Sequence, residues 1–369
     1  MNVDQLEPMG RLMADAVLAR ELPASVEMFE PVERVSVHTS KLGLPNRAWL
    51  RFEAAGKTYI FSSGLLAEQI EGDSSNAWRH INGDAFSLMS DKHALKNHLL
   101  SHGFSVPNGH MYRRRNMAQA LAAFEAFDGP VCVKPNSGSE GIGVFPGITE
   151  RSWFEIAIEK VAELYPKIVV EESVSGTHFR FFYIAPHIAA IRMGVVPSVE
   201  GDGRQTITDL IAQKNRERAR RRLVSHLPIE TNRNVEDYLA MQGYRLTDVL
   251  APGEKALLSG VSNGGAGAET ILVDDEVHPS YRRLVEKACQ SVPGLNICGV
   301  DIVIADEKKP AGKNNYWILE FNNNPTILGY HYPWEGRVID ICGCILNFLM
   351  DRAPSTDPQG MKKTYGADL

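Results

Sequence analysis

The chain has 369 residues, of which 44% are hydrophobic and 23% are charged, and its formal net charge is -6. These proportions are typical of a soluble globular protein with two or three domains or lobes. The negative charge argues against a general nucleic-acid-binding protein. No apolar run approaches the roughly 20 residues that span a bilayer, and the acidic N-terminal stretch lacks the apolar core of a secretory signal.

Cysteine usage indicates a reducing compartment. The chain has an odd number of cysteines, and their spacing matches no metal-ligand motif. Most lie in apolar segments, which predicts buried free thiols and a cytoplasmic protein. A redox pair in Cys342-Gly343-Cys344 is the alternative. The cysteines are Cys132, Cys289, Cys298, Cys342 and Cys344.

The first 88 residues are expected to combine short strands with turns. Residues 48–52 and 58–61 predict a hairpin around residues 55–57. Ser90-Asp91 then predicts the start of a helix that ends near Gly103. Its apolar face would carry Leu95, Leu99 and Leu100. Another helix is expected over residues 117–127.

Residues 131–134 predict a buried strand that ends in Lys134, directly before a glycine-rich turn. A buried lysine needs an anionic partner, because an uncompensated buried charge is costly. Glycine-rich turns let backbone N–H groups approach phosphate oxygens without interference from Cβ atoms. The spacing fits neither a Walker loop nor a Rossmann fingerprint, and a plain loop is the alternative. The candidate residues of the turn are Ser137, Gly138, Ser139, Gly141, Ile142 and Gly143.

Ser152 and Glu155 have the spacing of a capping box, which predicts the start of a helix. Its apolar face would carry Phe154, Ile158, Val161 and Tyr165. Strands are expected over residues 168–172, 179–184 and 188–193. Where the first of them ends, free backbone groups after Glu171-Glu172 could bind the edge of an adenine ring while Val174 packs on its face; an ordinary strand end is the alternative.

The remaining elements are mostly helical. Thr206 and Asp209 predict the start of a helix that runs into the arginine-rich residues 216–222. That run is either a solvated helix face or a lid over an anionic substrate. Loop and short helix are expected over residues 223–265. Helices are expected over residues 281–289 and 338–350, followed by a mobile tail from residue 353.

Three hard oxygen donors, Asp301, Glu320 and Asn322, stand on two short apolar strands. Glu320 and Asn322 are two residues apart, so they face the same side of their strand. Asp301 on the neighbouring strand would complete the set. Such ligands suit Mg²⁺, which takes phosphate oxygens as further partners when few protein ligands are present. The pattern therefore predicts a nucleoside triphosphate site; a solvated strand end is the alternative.

In their order along the chain these motifs resemble the ATP-grasp superfamily of carboxylate ligases, over roughly residues 85–350. They are Asp91-Lys92, Val133-Lys134-Pro135 with its loop, Glu171-x-x-Val174-x-Gly176, Val300-Asp301 and Glu320-x-Asn322-x-x-Pro325. A narrower likeness, to the ATP-grasp domains of cyanophycin synthetase and bifunctional glutathione synthetase, is carried by segments within residues 201–215, 275–279 and 298–301 and by Tyr332-Pro333.

The resemblance implies an α/β (α+β) fold, the ATP-grasp fold, in which two α/β lobes clasp ATP. An N-terminal pre-grasp domain would cover residues 1–88, and the small lobe with its glycine-rich loop residues 89–170. The large lobe with the metal site would cover residues 171–352, and residues 353–369 would be the mobile tail.

Residue roles follow from the same resemblance. Lys92 and Lys134 would hold the α- and β-phosphates of ATP, and the loop from Ser137 to Gly143 would cover the β- and γ-phosphates. Glu171, Glu172 and Val174 would hold the adenine. His178 stands where many relatives carry an acid for the ribose hydroxyls. The three metal candidates would bind two Mg²⁺, for which Mn²⁺ could substitute.

The implied reaction needs no protein nucleophile. A carboxylate attacks the γ-phosphate to give an acyl phosphate and ADP, and an amine then displaces phosphate. Both steps build charge on oxygen, so catalysis is positioning plus electrostatic stabilisation. Arg180 and Arg192 lie on strands where a guanidinium can fork onto a carboxylate or phosphate; a surface ion pair is the alternative. Lys214 and Asn215, which belong to the narrower likeness, complete the catalytic candidates.

Two segments leave the substrate open. In relatives an arginine precedes the segment that corresponds to residues 259–265, whereas here the upstream residue is Lys255. Either Lys255 or another group would meet the acyl phosphate. The aromatic strip over residues 328–334 is either a pocket wall or core.

The expected function is that of an ATP-dependent ligase that condenses a small-molecule carboxylate with the amine of an amino acid or similar compound. A peptide- or carrier-bound substrate is one alternative, and a non-catalytic nucleotide-binding regulator is another. Neither nucleic acid nor a membrane is expected as a partner. The sequence leaves room for a homodimer.

Overall fold

The computed structural model describes residues 1–28, 34–37, 40–43, 48–70, 78–138, 141–262, 267–273 and 276–352. Residues 34–37 and 40–43 are described by their backbone alone. The predicted mobile tail lies outside the described residues. None of the helices in these ranges is both long and apolar enough to cross a membrane.

The α-helices are α1 Pro8–Leu18, α2 Ala85–Ser90, α3 Lys92–Ser101, α4 Met117–Ala122, α5 Arg151–Leu164, α6 Ile207–Arg221, α7 Arg233–Met241, α8 Pro279–Gln290, α9 Leu328–His331 and α10 Ile341–Asp351. Short 3₁₀ helices cover Val3–Gln5, Arg114–Asn116 and Ala123–Ala126.

The strands are β1 Ala24–Met28, β2 Arg34–Val37, β3 Ser40–Gly43, β4 Ala48–Ala54, β5 Lys57–Ser62, β6 Leu65–Gln69, β7 Trp78–His80, β8 Gly109–Arg113, β9 Val131–Pro135, β10 Phe145–Ile148, β11 Lys167–Glu172, β12 Thr177–Ile184, β13 His187–Val195, β14 Ser198–Glu200, β15 Lys255–Leu257, β16 Glu269–Leu272, β17 Ile297–Ile304 and β18 Tyr316–Asn322.

A seven-stranded sheet forms the N-terminal region, in the order β1-β4-β5-β6-β7-β2-β3. The predicted hairpin is confirmed, since β4 pairs with β5 and Ala55 and Gly56 turn between them with φ angles of 51° and 74°. The sheet shares a hydrophobic core with α1 and α10, to which Met13, Phe52 and Leu346 contribute. The C-terminal helix thereby ties this sheet to the rest of the molecule.

A four-stranded antiparallel sheet, β10-β9-β11-β8, contains the predicted lysine strand. Helices α4 and α5 cover one face, and Phe154, Ile158 and Val161 lie in that core as predicted. The predicted capping box is wrong, because the helix begins at Arg151 without a side-chain cap. Glu155 instead accepts a hydrogen bond from Arg151 Nε at 2.8 Å, the i,i+4 pairing that a helix surface favours.

A five-stranded antiparallel sheet lies at the centre of the molecule, in the order β16-β13-β12-β17-β18. Because side chains alternate along a strand, Phe181 packs into the core with α3 and α8, and Phe182 into the opposite core with α10. On α3, Leu95 and Leu99 are buried, but Leu100 is 52% exposed. Its predicted place on the apolar face is wrong, since adjacent helix positions do not share a face.

An insertion covers residues 198–258, where β14 pairs with β15 and encloses α6 and α7. Thr206 and Asp209 form the predicted capping box at the start of α6. The insertion has its own small core, to which Ile207, Leu239 and Ala256 contribute. Lys160 on α5 pairs with Asp237 on α7. The insertion therefore touches the helix layer of the four-stranded sheet.

Strand β18 changes its alternation at Leu319. Asp301 pairs with Glu320, but the next residue, Ile302, pairs with Ile318. One extra residue on one strand is a β-bulge, and bulges re-aim the side chains that follow them. Before the bulge Ile318 faces the core, and after it Phe321 does, while Glu320 faces the other side.

The cysteines are free, as predicted. Four are buried, and Cys344 is half-buried. Cys342 and Cys344 form no disulfide, so the redox-pair alternative gains no support.

Candidate active site

A row of four charged side chains crosses the central sheet. Arg192 on β13 pairs in register with Arg180 on β12, Arg180 with Asp301 on β17, and Asp301 with Glu320 on β18. Residues opposite each other on neighbouring strands share a face of the sheet. The row therefore sets two guanidinium groups beside two carboxylates, and we call it the charged row.

The centre of the charged row is a buried ion pair. Arg180 Nε and Nη2 donate to the two carboxylate oxygens of Asp301, each at 2.6 Å. Burial opposes the ionisation of Asp301, but Arg180 outweighs it and lowers the pKa of the carboxyl group. Arg180 is thus paired in the interior with a predicted metal ligand, rather than at the surface.

Glu320 and Asn322 lie beside Asp301, as their spacing predicted. Asn322 Nδ2 donates to Asp301 Oδ2 at 2.8 Å and to Glu320 Oε1 at 3.4 Å. A half-turn of the Asn322 amide would bring its oxygen to the same place. Among the described residues no three His, Cys, Asp or Glu side chains converge on a metal position. Two carboxylates and an amide fit an ion such as Mg²⁺, which completes its shell with phosphate oxygens.

Lys92 connects the charged row to the glycine-rich loop. Its Nζ lies 2.6 Å from Glu320 Oε2 and donates to the Gly138 carbonyl at 3.2 Å. Asn136 Oδ1 accepts a hydrogen bond from the His93 N–H at 3.0 Å and so holds the start of α3 against the loop. Sequence analysis had passed over Asn136.

The loop has the backbone that its glycines allow. The φ angles are 142° at Gly138, 72° at Gly141 and 73° at Gly143, a region that other residues rarely adopt. Ser137 and Ile142 are exposed. Ser139 lies outside the described residues. The phosphate-binding role of the loop stays a prediction.

Lys134 has the anionic partner that its burial requires. Its Nζ lies 2.6 Å from Glu171 Oε1, and Lys96 Nζ contacts Glu171 Oε2. Glu171 is 2% exposed. Burial opposes its ionisation, but the two lysines outweigh burial and lower its pKa. We call these three side chains the buried triad.

The buried triad bears on the adenine prediction. Because both oxygens of Glu171 contact lysines, the backbone that follows it is the better candidate for adenine contacts. Glu172 Oε1 accepts a hydrogen bond from the Asn108 N–H at 2.9 Å. Val174 is half-buried after β11 ends. The adenine-binding roles of Glu171, Glu172 and Val174 stay predictions.

His178 lies beside the centre of the charged row. Its Nε2 is 3.7 Å from Asp301 Oδ1, and its Nδ1 is 2.6 Å from Ser262 Oγ. Burial lowers the pKa of His178, although Asp301 opposes that shift. The imidazole therefore faces the predicted metal ligands, and its ribose-binding role stays a prediction.

Arg192 lies at the far end of the charged row, 6% exposed. Its Nη1 donates to Thr270 Oγ1 at 3.2 Å, while its Nε is buried without a hydrogen-bond partner among the described residues. Burial lowers its pKa, and the neighbouring Arg180 adds to that shift. The Thr270 N–H in turn donates to His226 Nε2 at 3.2 Å. The surface ion pair considered for Arg192 is therefore wrong.

Lys214 and Asn215 lie on α6 and make structural contacts. Lys214 Nζ is 3.2 Å from Glu269 Oε1 and donates to the Ser198 carbonyl at 3.0 Å. Asn215 Nδ2 donates to the Ile229 carbonyl at 2.9 Å, and its Oδ1 accepts the Ile229 N–H at 2.8 Å. These contacts fix the insertion and give no support to a catalytic role.

The arginine-rich end of α6 is partly docked. Arg221 Cζ lies 3.7 Å from the centroid of the Trp334 ring, and Arg218 is buried and donates to the Gly267 carbonyl at 2.5 Å. Arg220 is exposed and pairs with Glu217. The run is therefore not wholly solvated, and its role as a lid stays a prediction.

Lys255 pairs with Glu200 Oε2 at 3.4 Å on an exposed part of the insertion. The structure gives no support to its meeting an acyl phosphate.

Several site residues escaped sequence analysis. Lys96 resembled an ordinary solvated helix lysine, although its i,i+4 spacing from Lys92 was a usable signal. Thr270 and His226 carry no motif, and only the fold brings them to Arg192. Tyr330 belongs to the aromatic strip and is fully buried.

Comparison with known proteins gives homologues but no match to a family model. The chain is 32% identical over 265 residues to the glutathione biosynthesis bifunctional protein GshAB of Streptococcus mutans, which covers 70% of this chain and 35% of that protein. It is 30% identical over 346 residues to cyanophycin synthetase of Synechocystis, covering 92% of this chain and 38% of that protein. The chain thus spans a little over a third of the length of these curated relatives.

A solved structure shares the fold. The crystal structure of a bifunctional glutathione synthetase from Pasteurella multocida matches 94% of this chain and 44% of that one, with a TM-score of 0.57 and 23% identity. At that identity the likeness concerns the fold alone. The match extends over nearly the whole chain, so it includes the N-terminal sheet as well as the charged row.

Proposed function

Because the chain belongs to the ATP-grasp superfamily by sequence and by fold, as its motifs predicted, we propose that it is an ATP-dependent carboxylate–amine ligase. It would activate a carboxylate as an acyl phosphate and join it to an amine, with release of ADP and phosphate. The homologues are named for glutathione and cyanophycin synthesis, but this chain spans little more than a third of either. Their substrates are therefore not assigned to it.

The charged row is the observation that carries the proposal. Within it, Arg180 donates two hydrogen bonds of 2.6 Å to Asp301, Glu320 pairs with Lys92 at 2.6 Å, and strand register places Arg192 beside Arg180. A decayed site in a regulatory protein would have no reason to keep these buried charges, since each costs free energy to desolvate. Phosphoryl transfer relies on such fixed charges to offset the negative charge that develops on oxygen.

Nucleotide binding would fall to the residues around Lys92. Lys92 and Lys134 reach the glycine-rich loop and the end of β9, where they would hold the α- and β-phosphates. The turn from Ser137 to Gly143, with Gly138, Ser139, Gly141 and Ile142, would cover the terminal phosphates. The backbone over Glu172 to Val174 would hold the adenine, and His178 the ribose.

Asp301, Glu320 and Asn322 would hold the metal, because their oxygens and amide converge. Mg²⁺ bound there would neutralise phosphate charge. We keep the expectation of two ions, with Mn²⁺ as a substitute. Lys92, which pairs with Glu320 Oε2 at 2.6 Å, would lie beside any phosphate bound to that metal.

The remaining expectations concern the surroundings of the enzyme. Five free cysteines favour a reducing compartment, for which we propose the cytoplasm. A small-molecule acid and amine are the proposed partners. A homodimer is compatible with the fold, and size-exclusion chromatography with light scattering would test it.

Phosphate release from Mg·ATP across a panel of amino acids, hydroxy acids and amines, singly and in pairs, is the direct test. Release that needs a pair, with a product whose mass equals the two reactants less water, would establish the ligase and identify both substrates. If no pair gives release although ATP binds, the panel is extended to peptides and carrier-bound acids. Failure there as well would refute the ligase and leave a nucleotide-binding regulator.

A further inference from the structure

Residues 80–82 of the N-terminal region contact both strands that carry the metal candidates. His80 Nε2 lies 2.9 Å from Asn324 Oδ1, just beyond the end of β18. Asn82 Nδ2 donates to the Ile297 carbonyl at 2.7 Å, and its Oδ1 accepts the Ile297 N–H at 2.9 Å. Because β17 and β18 are antiparallel, the start of β17 and the end of β18 meet at one edge of the pair. Residues 80–82 therefore hold this edge through both strands, and we call them the bracket.

The hydrogen bonds of the bracket fix which nitrogen of His80 carries the proton. The Asn82 N–H donates to His80 Nδ1 at 3.1 Å, so Nδ1 is an acceptor. Burial lowers the pKa of His80 to about 4, and the neutral ring has one N–H. That N–H is on Nε2 and donates to Asn324 Oδ1. The ring also packs edge-on against Phe86, with centroids 4.7 Å apart, so its single donor has a fixed direction.

The segment after Asn322 lies between β18 and α9, outside any helix or strand. Contacts on several sides fix it in place. Asn323 Nδ2 donates to the Ser90 hydroxyl oxygen at 3.0 Å. Pro325 lies so close to the turn between β5 and β6 that a Cβ atom on Gly64 would come within 2.8 Å of its carbonyl oxygen. The N-terminal sheet therefore packs directly against the chain that leaves the metal candidates.

Asn322 is the metal candidate that depends most on this segment. It is the last residue of β18, and it stands opposite Gly299, which offers no side chain to support it. Its amide has to keep one orientation beside Asp301 and Glu320 if its oxygen is to reach a metal there. Residues that orient a metal ligand through hydrogen bonds typically change metal affinity by about 10–100-fold when they are lost. The contacts just beyond Asn322 are therefore expected to influence metal binding.

We propose that His80 is a positioning residue of the metal site, which acts through Asn324 to hold the end of β18 and with it the metal ligand Asn322. The inference rests on the proposed function, and it gives the N-terminal sheet a part in the active site. The effect of His80 falls on the metal rather than on the nucleotide, because the proposed phosphate contacts come from α3, β9 and the glycine-rich loop.

Mn²⁺ binding tests the inference, because free Mn²⁺ is measured directly by electron paramagnetic resonance. Mn²⁺ is titrated into the protein with a non-hydrolysable ATP analogue, and the protein is in excess so that little analogue is free. Calorimetry in EDTA gives the Kd of the metal-free analogue. Both measurements use the full chain, and neither needs the acid or the amine substrate.

Four variants separate the hydrogen bond from the packing. His80→Phe keeps a ring against Phe86 and removes the donor, whereas His80→Gln keeps an N–H near the position of Nε2. Asn324→Ala removes the acceptor, and because Asn324 is exposed it tests the same bond without a change in the core. His98→Phe is the matched control, since half-buried His98 bonds the Ser291 carbonyl at 3.0 Å, a contact that involves neither β17 nor β18.

We expect His80→Phe and Asn324→Ala each to raise the Kd of Mn²⁺ by about 10-fold, the lower end of the range for residues that orient metal ligands. His80→Gln and His98→Phe should stay within about threefold of wild-type protein. The Kd of the metal-free analogue should change less than about twofold in every variant, which also shows that each is folded. In an Asn322→Ala background neither His80→Phe nor Asn324→Ala should have a further effect, since the ligand that they position is gone.

Two results would overturn the inference. If His80→Phe and Asn324→Ala keep the Mn²⁺ affinity of wild-type protein, the bond does not position the ligand, while the metal assignment stands. If they weaken Mn²⁺ binding equally with and without Asn322, they support the fold in general. Where His80→Phe fails to bind the metal-free analogue, Asn324→Ala decides between these outcomes. The proposed function fails in a different way, when wild-type protein with the analogue binds no Mn²⁺, and the inference then falls with it.

Discussion

The buried triad and the charged row both hide charge from water, but they are completed differently. In the triad one carboxylate, Glu171, contacts two lysines through its two oxygens. In the row one guanidinium, Arg192, contacts no described carboxylate at all. In the first, every charged group has a partner, although one carboxylate serves two lysines and Lys134 is also proposed to hold phosphate. In the second, the buried Nε of Arg192 has no hydrogen-bond partner among the described residues. The two clusters therefore differ in how far the protein itself completes them.

The largest effect on stability is expected at Glu171, the centre of the buried triad. Glu171→Gln would leave Lys96 and Lys134 buried without a counter-ion, and we expect a loss of about 3–5 kcal/mol in the free energy of unfolding. Chemical denaturation followed by circular dichroism would measure it. A loss below about 1 kcal/mol would mean that Lys96 and Lys134 find other partners, so that Glu171 is not what stabilises them.

Glu320 tests the opposite end of the charged row. Glu320→Gln is expected to lower turnover by about 10²–10³-fold, because one anionic ligand of the proposed metal is lost and with it part of the charge that the metal sets against the phosphate. Its free energy of unfolding should change little, since the side chain is partly exposed. Phosphate release with the identified substrates is the measurement, and exposed Glu125→Gln is the matched control. Near-normal turnover would refute the metal assignment.

His226 is expected to make the stability of the protein depend on pH. It accepts a hydrogen bond from the N–H of Thr270, whose side chain contacts Arg192. Burial lowers its pKa to about 4, and Arg218 adds to the shift. In the unfolded chain the imidazole takes up a proton near pH 6.5, whereas in the folded chain it stays neutral down to about pH 4. The free energy of unfolding is therefore highest above pH 6.5 and falls as the pH drops toward 4. The loss is about 3 kcal/mol at most.

Denaturation at pH 7.5, 5.5 and 4.5 would measure this loss. His226→Gln should flatten part of the slope, and the exposed His110→Gln should not. Burial also lowers the pKa of His80 to about 4, so that residue would keep some slope in the variant. An unchanged slope in His226→Gln would show that His226 does not carry the effect.

The smallest effect is expected at Glu217, which is the surface counterpart of Glu171. It also pairs with two cations, Arg220 and Arg221, but on an exposed helix. Solvent screens such pairs, so Glu217→Gln should leave the unfolding curve superimposable on that of wild-type protein. A measurable shift would mean that burial is not what sets the buried triad apart.

Much of the fold could be predicted from local sequence patterns. The strands over residues 168–172, 179–184 and 188–193 and the capping box at Thr206 all appear in the structure. The capping box predicted at Ser152 was wrong because Arg151 binds Glu155, the glutamate that the box would use. Spacing alone does not decide between these two arrangements. The prediction for Leu100 was wrong because it rested on the residue being apolar. Its position around the helix axis differs from that of Leu95 and Leu99.

Part of the candidate site could be predicted from the sequence. Asp301, Glu320 and Asn322 could be placed together because their strands are apolar and their spacing fixes their faces. The charged row could not, since Arg192 and Glu320 are 128 positions apart in the numbering and only strand register aligns them. The aromatic strip marked Tyr330 as pocket wall or core, but its approach to Arg192 could not be predicted, because it depends on the packing of α9 on Phe182.

The bulge at Leu319 adds one residue to a strand whose side chains otherwise alternate between the two faces of the sheet. Upstream of it the odd and even positions of β18 are assigned one way, and downstream they are exchanged, so that Ile318 and Phe321 both reach the core. Without the bulge, strict alternation that keeps Tyr316 and Ile318 inside would turn both polar metal candidates, Glu320 and Asn322, into the hydrophobic interior and Phe321 out of it. The bulge places one extra residue in the strand and so leaves both candidates on the opposite face. The chemistry of this sheet therefore depends on one extra apolar residue.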